Sequence, residues 1–378
     1  MSSYNNQFMN LKMKNTTYDA SSKKYISEKQ LTVDTLHNAI IIPDSIKGES
    51  GINLNGVVDE RSLLHVNWQK RSYNNCSKLN VTYRNEEVVY IGMFHFVWGH
   101  CITDNLKHLW FLFDEKYKKI QKLKFVYIVL KDNNKGENKK SVLPQNFLWI
   151  LRNLGIADNQ LEEIIVPTTF FRIYLPEQCF YYDNKVKQRF FTSNYIDIIN
   201  RIERDIYPAK YKKIYFSRTG LNDRKDFGEN KIESLFQIEG YKIIYPEKLS
   251  ISEQIALLKG CEYFACTEGS ISHNVIFCRE RTNIIIIRKF NGLNGYQLAL
   301  NSIRNYSITY IDANKTIPAN SRHPYLGPFF LYKSPQIIQF FCLKQEHFPY
   351  LDYVKYLLYV LKVKSIRIFR IIFRKCVL

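Results

Sequence analysis

The sequence contains no C-x-x-C pair, no G-x-G-x-x-G run, no G-x-x-x-x-G-K-[ST] run and no D-x-D. Its eight cysteines, at 76, 101, 179, 261, 266, 278, 342 and 376, are not spaced as a structural zinc site requires. Scattered along so long a chain, they read as reduced thiols and not as a disulfide framework. Without the two glycine-rich signatures, neither a dinucleotide-binding fingerprint nor a P-loop is supported. Without D-x-D, a chelating carboxylate pair is missing, so arginine, lysine and backbone N–H groups must neutralise any phosphate. Acidic residues are scarce too: 35 Asp and Glu face 54 Lys and Arg, a net charge of +19. That favours nucleic acid, anionic lipid or phosphorylated ligands without choosing among them. No run reaches the ~20 uninterrupted apolar residues of a membrane-spanning helix. The polar start, "MSSYNNQFMNLKMKNTTYDASSKKY", has no apolar signal-peptide core, so a cytoplasmic location is expected.

What is present suffices for sizeable cores. The 378 residues are 46% hydrophobic and 15% aromatic, about right for two globular domains. Residues 1 to about 35 are rich in Asn, Ser and Lys and read as a loose tail or irregular edge structure. "AIIIPD", "EEVVYIGMF", "KFVYIVLKD" and "EEIIVP" read as strands; "NFLWILRNLG" and "TSNYIDIINRIERDIY" read as helices. From there the alternation is cleaner. Strands "KKIYFSR", "YKIIYP", "EYFACT", "NIIIIRK" and "SITYID" take turns with helices "NKIESLFQIEG", "SISEQIALLKG", "HNVIFC" and "GYQLALNSI". Ser250 and Glu253 form a capping box, and the apolar run of "NIIIIRK" predicts burial on both faces. Such alternation implies parallel sheets. We therefore expect an α/β protein with two Rossmann-type domains. The boundaries are a polar segment 1–35, domains 36–208 and 209–320, and basic C-terminal helices over 321–378.

In such sheets, ligands bind outside the carboxyl ends of the strands. Two loops there could hold a diphosphate. "SRTGLNDRK" supplies Ser217, Arg218, Arg224 and Lys225. "CTEGSISHN" supplies Gly269, Ser270 and Ser272, then His273 and Asn274, at an expected helix start whose N–H groups would attract an anion. Guanidinium groups on the neighbouring strand end would grip the same phosphates.

"GHCITDNLKHLW" places His100, Asp104 and His108 within about 80° of one another on a helix, with Lys107 beside them. Ile102, Leu106, Leu109, Trp110 and Phe113 fall on the other side, an amphipathic pattern. Three readings share this spacing. It could be a solvated helix face. It could be a metal site, but one lacking a fourth ligand. Or it could be an acid–base pair, Asp104 with His100, that takes a proton from a hydroxyl.

Together these segments resemble glycosyltransferase family 61. "GHCITDNLKHLW" is similar to that family's G-H-F-x-x-D-x-L-x-R-L-W. The stretch from "YFSRTGLNDRK" through "YKIIYPEKLSISEQ" to "CTEGSISHN" is similar to its second block. Ser217, Arg218, Arg224, Lys225, Glu229, Pro246, Glu247, Glu253, Gln254, Gly269 and Asn274 stand at matching positions, and the resemblance covers about residues 85 to 312. It implies a GT-B fold, two domains facing across a cleft. It also implies an inverting transfer from a nucleotide sugar, taken as a UDP-sugar, without metal. The acceptor would be a capsular, exopolysaccharide or lipopolysaccharide chain. Asp104 or His100 would be the base, with Asp104 favoured and His100 positioning it, or the roles exchanged, and with Lys107 and His108 on the acceptor side. Where many members have His, this chain has Glu268, which would accept hydrogen bonds from a sugar or ribose hydroxyl.

Two rival readings remain. One is another GT-B-like enzyme such as a polysaccharide pyruvyltransferase. The other is a protein that binds nucleic acid or another anionic polymer, although no nucleic-acid-binding signature is found. The last stretch, "YVKYLLYVLKVKSIRIFRIIFRKCVL", is too charged to span a bilayer. It reads either as a helix packed on the body or as one lying at an anionic membrane, peripheral to the inner face.

Overall fold

The computed structural model describes residues 8–9, 16–19, 25–44, 50–64, 79–130, 141–221, 226–320 and 324–376. Met1 aside, the chain divides into two compact units. One is Lys23–Asp205; the other is Ile206–Leu378 with the Ser2–Ser22 stretch. Both are α/β.

The first unit is built on an eight-stranded mixed sheet. Its central strand, Thr82–Phe94, contains "VVYIGMF", seven consecutive buried residues. Such a strand must be covered on both faces. Val88 and Tyr90 pack with Ile41, Ile52 and Val58 on one side. Phe94 meets Phe147 of the helix Gln145–Asn153 edge-to-face at 5.2 Å. Thr168–Pro176, Thr82–Phe94, Lys124–Val129 and Leu161–Glu163 lie side by side and parallel. Numbered in chain order, these four strands run 3-2-1-4, the order of a doubly wound sheet. The order reverses between Thr82–Phe94 and Thr168–Pro176. Antiparallel strands at 33–36, 40–42, 51–54 and 57–59 extend the sheet.

The strand Thr168–Pro176 was not anticipated. Pro167 and Pro176 bracket it and Arg172 interrupts its apolar pattern, which obscures the strand signal. Arg172 fits because its guanidinium meets Glu87 of the neighbouring strand at 2.7 Å.

The second unit has a six-stranded sheet ordered Lys242–Ile244, Lys213–Phe216, Tyr263–Thr267, Asn283–Arg288, Ser307–Asp312, Thr16–Asp19. The first five are parallel. Their chain order is 2-1-3-4-5, also a doubly wound order, with its reversal between Lys213–Phe216 and Tyr263–Thr267. Five consecutive residues of Asn283–Arg288 are buried, as the apolar run predicted. Part of the polar N-terminal segment forms structure here. Thr16–Asp19 pairs antiparallel with Ser307–Asp312 and covers that edge.

The helix Ile251–Gly260 begins with the expected capping box. Ser250 N–H donates to Glu253 Oε2 at 2.8 Å, and Glu253 N–H to Ser250 Oγ at 3.3 Å. Gly260 closes it because a Cβ there would stand 1.8 Å from the Ala209 carbonyl oxygen. Near the chain end, Tyr350–Cys376 forms a 27-residue helix. Its Tyr356 and Val360 pack with Phe330 and Ala319.

Candidate active site

In the first unit the chain leaves Thr82–Phe94 at the point where strand order reverses. The amphipathic helix expected over the next sixteen or so residues is not continuous. An α-helix covers only Trp98–Ile102, turns occupy 103–108, and a 3-10 helix spans Leu109–Phe113. Side chains compete with the helical ladder here. Thr103 Oγ1 lies 2.8 Å from the Gly99 carbonyl. Asn105 clamps the backbone of His95, accepting from its N–H and donating to its carbonyl, both at 3.1 Å.

This break corrects the helical-wheel reading for two residues. Lys107 and His108 are buried, not on a wet face. Lys107 Nζ donates to the carbonyls of Leu63 and Leu64 at 2.7 and 3.1 Å. Burial lowers its pKa to about 8. His108 Nδ1–H donates to the Pro176 carbonyl at 2.6 Å, and burial pushes its pKa down to about 3, so the ring is neutral. Trp110 Nε1–H donates to the Glu177 carbonyl at 2.8 Å. These bonds stitch the segment from the end of one central strand to the end of its neighbour, Thr168–Pro176. Gly92 leaves room for His108: its φ is +121°, and a Cβ would lie 3.1 Å from the ring.

His100 and Asp104 are brought together. Nδ1 of His100 is 2.7 Å from Oδ2 of Asp104. Thr103 Oγ1 stands 3.0 Å from the same oxygen, and the His95 ring meets His100 edge-on at 4.8 Å. Asp104 is 4% exposed. A carboxylate so placed fixes the imidazole tautomer and ring orientation.

The second unit presents a different set at its own reversal point. After Lys213–Phe216, Ser217 Oγ donates to Glu233 at 2.5 Å and is engaged within the protein. Arg218 N–H donates to Glu229 Oε1 at 3.0 Å, while its buried Nε has no hydrogen-bond partner. Glu229 opens the helix Glu229–Ile238 and is buried, which raises its pKa; its Oε2 is also unpartnered. Arg218, Thr219, Asp226, Phe227, Glu229 and Asn230 line a cavity of about 310 Å³.

At the end of Tyr263–Thr267, Glu268 is 2% exposed and neither carboxylate oxygen has a hydrogen-bond partner. Burial raises its pKa to about 7, against the pull of Arg288 and Lys289. Those two cations are held by others. Arg288 pairs with Asp312 at 2.6 Å, and Lys289 with Asp226 at 3.0 Å over the Phe329 ring.

The expected open helix start at 269–274 is corrected. Ser272–Phe277 is a six-residue 3-10 helix, and Ser272, His273 and Asn274 are buried. Ser272 Oγ lies 2.6 Å from Gln297 Oε1 and 2.7 Å from the Gly269 carbonyl, and accepts from Gly269 N–H at 3.3 Å. Inward bonding has replaced an outward row of free amides. Gly269 and Ser270 are half-buried, and Gly269 has φ +133°. Arg224 and Lys225 lie outside the described residues.

Asp226, Arg288, Lys289 and Asp312 were missed. Their signal was the strand-end rule itself, since "RK" directly follows the run "NIIII". Among the described residues, no group of three or more His, Cys, Asp or Glu is placed to hold a metal.

A model of the family described as Glycosyltransferase 61 matches residues 98–285, about half of the chain. The match begins in the helix that carries His100 and ends in the strand that leads to Arg288. No curated protein matches the chain.

Proposed function

Because the chain belongs to glycosyltransferase family 61, we propose that it is an inverting, metal-independent transferase of GT-B type. It moves a sugar from a UDP-sugar to a growing polysaccharide or glycolipid, in the cytoplasm. The observation that carries this reading is the set of unpartnered buried polar atoms around one strand-order reversal. These are Arg218 Nε, Glu229 Oε2 and both oxygens of Glu268, with Thr267 Oγ1 beside Glu268 in the chain and Arg288 Nε at the end of the adjacent strand. Each such group costs free energy unless a ligand or an ordered water supplies its partner. A ligand with a diphosphate and several hydroxyls offers both kinds of partner.

Arg218, with Arg224 and Lys225, holds the diphosphate and stabilises the charge that develops as it leaves. Glu268 faces a sugar or ribose hydroxyl. Asp104, oriented by His100, takes the proton of the acceptor hydroxyl. That oxygen attacks the anomeric carbon, the bond from carbon to diphosphate oxygen breaks, and the nucleoside diphosphate departs. Attack opposite the leaving group inverts the carbon.

The test is a thermal-shift titration with UDP-sugars and other nucleotide sugars, with and without added metal. A donor at a hundredfold excess over its Kd should stabilise the wild type by about 2.7 kcal/mol. Arg218→Ala should weaken that binding at least tenfold, the scale of a hydrogen bond to a charged group. Absence of a shift with every nucleotide overturns the transferase reading. Equal affinity in the variant removes Arg218 from the donor site.

A further inference from the structure

Over its described side chains, residues 350–366, the helix Tyr350–Cys376 has one apolar face packed on the second unit and another exposed. Tyr353, Tyr356, Leu357, Val360 and Val363 pack on the body of the second unit. On another side, Leu351, Val354, Leu358 and Leu361 are 81%, 51%, 62% and 60% exposed. Spacings of three, four and three residues line them up on one face. Exposed Lys355 and Lys362 flank that stripe.

The charge around it has one sign. Residues 350–376 contain seven Lys and Arg and a single acid, Asp352. Asp352 is tied to Lys231 at 2.7 Å. A leucine stripe edged by lysines matches the layered chemistry of an anionic lipid surface, with acyl chains below and phosphates above. A second copy of the same stripe would bring two strongly basic helices together. Among the described residues, no helix is long and apolar enough to cross a membrane.

The geometry points to this helix as a peripheral anchor that lies in the plane of an anionic bilayer, with Leu351, Val354, Leu358 and Leu361 in the acyl boundary and Lys355 and Lys362 at the phosphates. Binding of this kind does not depend on which sugar is transferred.

The probe is co-sedimentation of the full chain with vesicles of pure phosphatidylcholine or of phosphatidylcholine with phosphatidylglycerol, at low and high salt. The wild type should pellet with the anionic vesicles only, and less so in salt. Lys355→Gln with Lys362→Gln should weaken binding by about 25-fold, about fivefold for each charge near the surface. Leu358→Asn with Leu361→Asn keeps the charge and should weaken binding by tenfold or more. These leucines are exposed, so circular dichroism should show an intact fold. If the asparagine variant binds as well as the wild type, the attraction is charge alone and the anchor is overturned. A wild type that stays in the supernatant with anionic vesicles overturns it too. So does a concentration-dependent dimer that the asparagine pair abolishes in the absence of vesicle binding.

Discussion

At the strand-order reversal of the first unit, most of the polar groups hold one another, although His108 Nε2 is buried without a hydrogen-bond partner. Asp104 meets His100 at 2.7 Å, Lys107 is taken up by two backbone carbonyls, and His108 donates to a third. At the reversal of the second unit, Arg218, Glu229 and Glu268 each keep a buried polar atom with no partner. Both are carboxyl ends of doubly wound sheets, yet the first leaves a neutral ring nitrogen unpaired and the second leaves atoms of charged side chains unpaired. A closed network fixes side-chain geometry before any ligand arrives, which suits proton transfer. An open one costs stability until something binds, which suits recognition. One fold rule locates both places, and hydrogen-bond bookkeeping tells them apart.

Asp104→Asn should break the comparison most severely. The shape is kept, but the group can no longer take a proton. Turnover should fall by about a hundredfold to ten-thousandfold, while nucleotide affinity stays at the wild-type value. Release of nucleoside diphosphate and a binding titration measure the two separately. Wild-type turnover in the variant would show that the closed network is only structural.

Glu268→Gln sharpens the other half. Its folded pKa of about 7 lies above the ordinary 4.5, so the folded state holds the proton more tightly than the unfolded chain. The stability this proton contributes is fully present below pH about 4.5. It is lost as pH rises through about 7. The loss amounts to about 3 kcal/mol at about 1.4 kcal/mol per pKa unit. Glutamine carries no such burden. Without ligand, the variant should match the wild type near pH 4 and exceed it by about that amount above pH 7.5 in urea unfolding. Parallel pH profiles would mean that Glu268 already has a partner.

The smallest effect is expected at Gly92→Ala. The backbone there has φ +121°, and the new methyl would press on the His108 ring. A loss of about 2 kcal/mol is expected, with nucleotide affinity unchanged. No loss would mean that the segment from 95 to 113 is held less tightly than its hydrogen bonds indicate.

Much of the second unit was legible because its helices and strands obey simple local rules. Examples are the Ser250–Glu253 capping box and the apolar run in Asn283–Arg288. The first unit was harder to read. Thr168–Pro176 is bracketed by prolines and carries an arginine whose partner, Glu87, is 85 residues away. The hydrogen bonds that break the helix after Ile102 are local, but their outcome depends on where Pro176 and Leu63 lie.

The sequence by itself determined the α/β class, the loops at the strand ends and the family, because periodicity and motif spacing are properties of neighbours along the chain. It also placed Asp104 one turn from His100, a contact of two residues four apart. Only the tertiary structure decided which polar side chains are spent on the fold. Lys107, His108 and Ser272 looked available and are consumed by distant partners, whereas Arg288, Lys289 and Asp312 were overlooked and cluster at the sheet end. Whether a buried group is satisfied depends on atoms brought close by folding, and no spacing along the chain records that distance.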